Sequence, residues 1–375
     1  MTSFAIALLV SFVACGLIIR ISRRSGSLPW DDTRTGVQKF HALSVPRVGG
    51  LALMAGLLAL ALAMTITSPA LSGTFSMLLL AGAPALLTGL AEDITKRVGV
   101  LPRLLATMLS GVIAFFWLGA EIRRVDVAFL DALLLYNSAS LLLTAMAVGG
   151  LANAINIIDG YNGLSAVVAS AMFLSLAYVG LQVGDPLVVA TALAATGALI
   201  GFLVWNWPRG LIFLGDGGAY FVGYLLAVLV ILLVARHPQV SAWYGLVLFV
   251  YPVFETVFSV WRRRFLRGVS PGLPDGLHLH TLIFRRMVRW AVGRQEAASL
   301  TLRNSLTAPY LWALSSFAVL PASLLWHHTL ALQVVAGVFC VLYVWLYARL
   351  VRFRAPRLLM IRSKKGGLIS RWRDF

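Results

Sequence analysis

Apolar runs of sixteen to twenty-odd residues recur along the chain, each closed by a short polar stretch. Eleven can be read: 4–19, 48–66, 76–91, 101–119, 132–152, 163–182, 187–205, 217–234, 241–260, 309–326 and 329–348. At ~1.5 Å per residue each is long enough, as a helix, to cross ~30 Å of hydrocarbon, and a helix satisfies its own backbone groups there. The pattern predicts an all-α polytopic membrane protein with about eleven transmembrane helices. A single membrane domain is expected over 1–350, followed by a basic tail over 351–375.

The polar positions that interrupt this pattern are unevenly spread. In "GLANAINIIDGYNGLS", Asn153, Asn156, Asp159 and Asn162 recur at intervals of three. On a helix the first three span an arc of ~120° and face one side. Gly160 and Gly163 then let the helix break and the backbone approach a ligand. Helix–helix bonding accounts for one such amide, but not for three beside a carboxylate and two glycines. "GLAEDITKR" holds Glu92, Asp93, Lys96 and Arg97 at the end of the third run. Acids near hydrocarbon cost ~2.5–3.5 kcal/mol at a helix centre and tend to mark function. "WNWPRGLIFLGDGGAY" contributes Asn206 and Asp216, the latter in a glycine turn that opens a helix. "SPGLPDGLHLH" contributes Asp275, His278 and His280, with Arg285, Arg286 and Arg289 after them; "TGVQKFHALSVPRVGG" contributes Lys39 and His41. Two histidines in a basic loop make a poor zinc set, and phosphate recognition fits them better. Asp31–Asp32, in a hydrophilic loop, reads as a solvated turn.

Composition strengthens the membrane reading. Of 375 residues 60% are hydrophobic and 12% charged, with mean hydropathy +0.88; a soluble domain carries about 25% charged residues. The net charge of +17 raises nucleic acid as a partner, but the placement of the charge argues against it. Nearly all of the 31 Lys and Arg fall in alternate connections and the tail, while the other side holds Arg123, Arg124 and Arg236. By the positive-inside rule the rich side is cytoplasmic, the N-terminus outside and the C-terminus inside. The tail reads as a polybasic segment drawn to anionic membrane lipids. All five polar clusters fall on the cytoplasmic face. Cys15 and Cys340 lie in predicted spans and are expected as free thiols.

Carboxylates, amides, glycine turns and basic groups gathered at one membrane face are the parts of Mg²⁺-dependent phosphoryl transfer. The water-soluble substrate should carry a diphosphate and the other should be a lipid phosphate. At these residues the chain resembles the polyprenyl-phosphate N-acetylhexosaminyl-1-phosphate transferases of glycosyltransferase family 4. "NAINIIDGYNGL" is similar to the family's N-x-x-N-x-x-D-G-x-x-G-L signature, and "KFHALSVPRVGGLA" to its first cytoplasmic loop. "GFLVWNWPRGLIFLGDGG" resembles the segment whose Asp binds Mg²⁺, and "HLH" the His-loop motif.

The resemblance implies Asp216 as principal metal ligand, with Asp93 as the second carboxylate and Mn²⁺ able to substitute for Mg²⁺. Catalytic roles would fall to Asp93, Asp159, Asn156, His278 and His280. Substrate would be held by Lys39, Lys96, Asn153, Asn162, Asn206 and Phe213, the last stacking on uracil. Lys39, Lys96 and His280 are expected as cations that ease the meeting of two anions. Three positions depart from the family pattern: Glu92 replaces the first Asp of a pair, Thr281 a further His, and Asn162 an Asp. The implied activity is transfer of an N-acetylhexosamine 1-phosphate, most simply GlcNAc 1-phosphate, from a UDP-sugar to undecaprenyl phosphate. UMP is released, and the step initiates a cell-surface polysaccharide at the bacterial inner membrane. Direct in-line displacement is favoured over a covalent Asp intermediate. The competing readings are the peptidoglycan-precursor transferase, which carries a phospho-N-acetylmuramoyl-pentapeptide, and a membrane transporter.

Overall fold

The computed structural model describes residues 1–25, 45–266, 268, 275–288 and 297–352. Lys39, His41, Asp31–Asp32 and all but the first residues of the basic tail lie outside them. Among the described residues the protein is helical and contains no strand. The helices are α1 Thr2–Ser25, α2 Gly49–Thr67, α3 Pro69–Ala81, α4 Ala83–Thr95, α5 Val100–Leu118, α6 Ala128–Leu134, α7 Asn137–Ile158 and α8 Leu164–Val183. They continue as α9 Pro186–Asn206, α10 Gly215–Arg236, α11 Trp243–Leu248, α12 Val250–Trp261, α13 Leu279–Ile283, α14 Ala297–Leu324 and α15 Thr329–Val351.

Eight of these are long and apolar enough to cross a membrane, and a ninth crossing arises if α3 and α4, bent by 41°, form one broken span. Two predicted spans take other forms. The run 241–260 is divided at Phe249 into α11 and α12, with Pro252 in the first turn of α12, where its missing N–H costs nothing. The run 309–326 is the second half of the 28-residue α14, whose Ser, Thr and two internal prolines dilute its apolar character. Cys15 and Cys340 are free thiols.

The bundle is organised around α10. Its apolar stretch is 89% buried, whereas that of α1 is 22% buried. It packs against α2, α4, α7 and α8, while α1 lies along α9. Such an enclosed helix is apolar all round, as "AYFVGYLLAVLVILLVA" shows. The outward residues of the rim helices, such as Leu58, Leu62 and Ile66 of α2, are exposed and apolar, as a lipid-facing surface requires.

Candidate active site

The site is built on the N-terminus of α10. Gly215 begins this helix at φ +77°, and a Cβ there would come within 2.6 Å of an Asp93 carboxylate oxygen and 2.3 Å of the Arg47 carbonyl. Glycine therefore admits a carboxylate from another helix. Asp93, near the end of α4 and fully buried, accepts from the N–H of Asp216 through Oδ1 (3.1 Å) and from that of Gly217 through Oδ2 (3.0 Å). It is a remote cap on the positive end of α10. The approach needs bare backbone on both helices, since a Cβ on Gly89 of α4 would lie 2.4 Å from the Gly217 nitrogen.

With its N-terminus capped from outside, α10 presents Asp216 to the site. Asn156 Nδ2 donates to Asp216 Oδ1 at 3.0 Å, Arg47 Nη2 to the same oxygen at 3.3 Å, and Arg103 Nη1 to Oδ2 at 2.5 Å. Arg47 Nε also lies 3.7 Å from Asp93 Oδ1. Asp159, just past the end of α7, accepts from the Ser165 hydroxyl. Burial pushes its carboxyl up to about 7; the Ser165 bond and the Arg47 charge oppose this, while Asp216 and Asp93 add to it. Lys96 ends α4 in the left-handed region, at φ 55°. Burial and then Arg47 lower its ammonium pKa, while Asp93, Asp216 and Glu92 raise it. Residues from α4, α5, α7 and α10 and from the segment before α2 thus meet at one place.

Other predicted positions have different partners. Asn153 donates to the Gly149 carbonyl of its own helix (2.8 Å) and to Thr107 of α5 (3.3 Å), so it joins α5 to α7. Asn206 Oδ1 accepts from the Gly163 N–H at 2.6 Å and its Nδ2 donates to the Ile212 carbonyl at 2.8 Å. Asn162 receives Asn304 Oδ1 on its N–H at 2.8 Å and donates to Ser305 at 3.1 Å. These two asparagines fasten the Asp159–Gly163 turn to the ends of α9 and α14. Half-buried Phe213 exchanges backbone bonds with Pro46 and Gly49 (2.9 Å each), which ties the α10 turn to the start of α2.

The histidines are buried beside the same turn. His278 Nδ1 bonds Glu255 at 2.9 Å. The His280 ring lies 5.3 Å from Tyr161, and a Cβ on Gly160 would come within 3.8 Å of its Nε2. Burial, and after it the charge of His278, hold the His280 pKa down to about 3. His280 is therefore neutral at physiological pH, a hydrogen-bonding group where the sequence reading expects a cation. Arg47 and Arg103, which that reading missed, are the cations that meet Asp216. Glu255, also missed, was visible as the lone acid in the run 241–260.

A separate apolar cavity of about 640 Å³ lies between α7, α10 and the α11–α12 pair. Met146, Gly150, Val230, Val234, Leu246 and Phe249 are in its wall; Arg124 stands at one end and Ala154, two residues before Asn156, at the other.

The donor set suits a hard cation. Among the described residues no three His, Cys, Asp or Glu side chains converge into a complete protein cage. Mg²⁺ does not require one, since it takes one or two carboxylates and completes its octahedron with water and phosphate oxygens. Asp216 with the Asn156 amide beside it is such a partial set.

Residues 75–234 match the model of glycosyl transferase family 4. Over 288 residues the chain is 27% identical to a probable undecaprenyl-phosphate N-acetylglucosaminyl 1-phosphate transferase of Bacillus subtilis, covering 74% of this chain and 75% of that protein. It is 29% identical over 311 residues to a decaprenyl-phosphate N-acetylglucosaminephosphotransferase of Mycobacterium leprae, covering 73% and 74%. A phospho-N-acetylmuramoyl-pentapeptide-transferase of Moorella thermoacetica matches at 30% over 201 residues, only 50% of this chain and 61% of that protein. The matched segment contains Asp93, Arg103, Asn156, Asp159 and Asp216 together, and over residues 75–234 this chain of apolar, membrane-length helices is similar to glycosyl transferase family 4.

Proposed function

We propose that the protein transfers N-acetylglucosamine 1-phosphate from UDP-GlcNAc to undecaprenyl phosphate, releasing UMP and initiating a cell-surface polysaccharide. The observation that carries this reading is the cluster at the start of α10, where Asp216 is flanked by Asn156, Arg47 and Arg103. The names of the Bacillus and Mycobacterium relatives support the GlcNAc 1-phosphate assignment. The shorter match to the pentapeptide transferase makes the peptidoglycan reaction the weaker alternative. A transporter would place its polar groups near the bilayer midplane between two related halves; here they gather at helix ends.

Two anions must be brought together. The lipid phosphate has a second pKa of ~6 and is mostly dianionic at neutral pH, so it attacks the β-phosphorus without a strong base. In-line displacement then exchanges one phosphoanhydride for another. Arg47, Arg103 and Lys96 lower the repulsion between the two substrates. Asp93 holds Asp216 in place through the α10 amides. Neutral His280 offers a hydrogen bond at the Asp159–Gly160 turn. Mg²⁺, or Mn²⁺ in its place, held by Asp216 with Asp93 and Asp159 near it, would supply Lewis-acid polarisation of the diphosphate. The apolar cavity leading to Ala154 gives the isoprenoid chain a route to the site.

In this reading the cluster faces the cytoplasm across the bacterial inner membrane, with the N-terminus outside. Eleven crossings result if the α11–α12 pair and α14 also span. The test is UMP release from a panel of UDP-sugars by purified protein with undecaprenyl phosphate and Mg²⁺. Release from UDP-GlcNAc, abolished by chelator, is expected. Folded protein releasing no UMP from any UDP-N-acetylhexosamine overturns the proposal.

A further inference from the structure

Beneath the histidines lies a buried polar network that the proposed chemistry leaves unused. Glu255 of α12 is 1% exposed. Its Oε1 accepts from His278 Nδ1 at 2.9 Å and from the Leu279 N–H at 3.2 Å, and its Oε2 accepts from the Tyr343 hydroxyl of α15 at 2.7 Å. A carboxylate so enclosed is tolerable only with its lone pairs occupied. On the other side of the imidazole, His278 Nε2 lies 3.8 Å from Asp275 Oδ2, and Asp275 is itself held by Arg262 and by Ser259 at 3.1 Å. His278 thus has a hydrogen-bonded carboxylate at Nδ1 and a second carboxylate near Nε2, which favour this ring orientation.

His280 depends on this arrangement. Its ring stacks on His278 at 5.1 Å and 16°. Its own Nδ1 is buried without a hydrogen-bond partner among the described residues. The orientation of His280 toward the Asp159–Gly160 turn therefore comes from packing on a fixed neighbour. Tyr343, which completes the Glu255 shell, lies well outside the family-matched segment 75–234.

We propose that Glu255 and Tyr343 are positioning residues for His280: by fixing His278 they hold the His280 ring against the Asp159–Gly160 turn. This rests on the proposed transferase reading only in taking His280 to face substrate. The clamp itself is testable without turnover. Diethyl pyrocarbonate acylates accessible neutral imidazoles, and peptide mass spectrometry gives a rate for each histidine. In Glu255→Gln and Tyr343→Phe, the His280 rate should rise roughly tenfold, as one charged hydrogen bond is lost, while His237 at the far end of α10 keeps its wild-type rate. An unchanged His280 rate in both variants overturns the proposal. Tyr343→Phe removes a single oxygen and decides the matter if Glu255→Gln unfolds and exposes every histidine.

UMP release is the second readout. Tyr343→Phe should lower kcat with little change in the KM for UDP-GlcNAc, and should have no further effect in a His280→Gln background. Equal, additive losses in both backgrounds overturn the positioning role. Wild-type protein that releases no UMP refutes the transferase reading, and the acylation rates still decide the clamp.

Discussion

Two ends of the bundle use the same ingredients to different effect. At the end bearing His237, Asp185 caps its own helix, α9, accepting from the Val188 N–H at 3.0 Å, and pairs with Arg236 at 3.4 Å and His237 at 3.3 Å. Nearby, Asp126 accepts from the Ala242 N–H at 3.0 Å and meets Arg124 at 3.5 Å. Asp185 is thus both cap and ion-pair partner, and Asp126 joins Arg124 to the segment that leads into α11. At the opposite end the capping acid, Asp93, also meets an arginine, Arg47 at 3.7 Å, but a second acid stands beside it. Asp93 arrives from α4 to cap α10, which leaves Asp216, in the first turn of the capped helix, to face Asn156 and two arginines. A carboxylate that caps nothing and faces an amide and two arginines is the feature on which the proposed transfer rests.

The sharpest break of this comparison is Asp216→Asn. It should reduce UMP release by roughly 10³-fold or more, as expected for removal of a preorganised electrostatic group, with the thermal midpoint largely retained. Arg103→Ala should follow, with a loss of roughly 10²-fold concentrated in kcat, because the partner it abandons is Asp216, the proposed metal-holding carboxylate. Gly215→Ala tests the geometry itself. The added Cβ at φ +77° meets Asp93 and the Arg47 carbonyl, so both activity and stability should fall, the latter by about 1–3 kcal/mol. Asp185→Ala should cost about 1–2 kcal/mol of stability, a lost cap, and leave kcat unchanged. Asn153→Ala should be the mildest, near 1 kcal/mol with turnover close to wild type, since among the described residues its amide bonds Thr107 and its own helix.

The contrast between Asn153 and Asn156 shows where sequence reading stops. Spacing by three places both on one broad face of α7, and that much is correct. Which part of the arc meets α5 and which meets α10 depends on packing that periodicity does not encode. The broad architecture was legible because lipid imposes long apolar runs, and eight helices satisfy that rule outright. The run 241–260 was less so: its length spans hydrocarbon, but the break at Phe249 splits it. Arg103 was hidden by abundance, since basic residues flank most runs on that face, whereas Glu255 stood alone in an apolar segment. Neutral His280 could not be read at all, because burial rather than residue type sets its charge.

The most direct test sets one end of the molecule against the other. UMP release from UDP-GlcNAc is measured for wild type, Asp216→Asn and Asp185→Asn, each purified, folded and supplied with undecaprenyl phosphate and Mg²⁺. Turnover in wild type and Asp185→Asn with none in Asp216→Asn is the predicted result. Equal turnover in the two variants would contradict the placement of the chemistry at the start of α10.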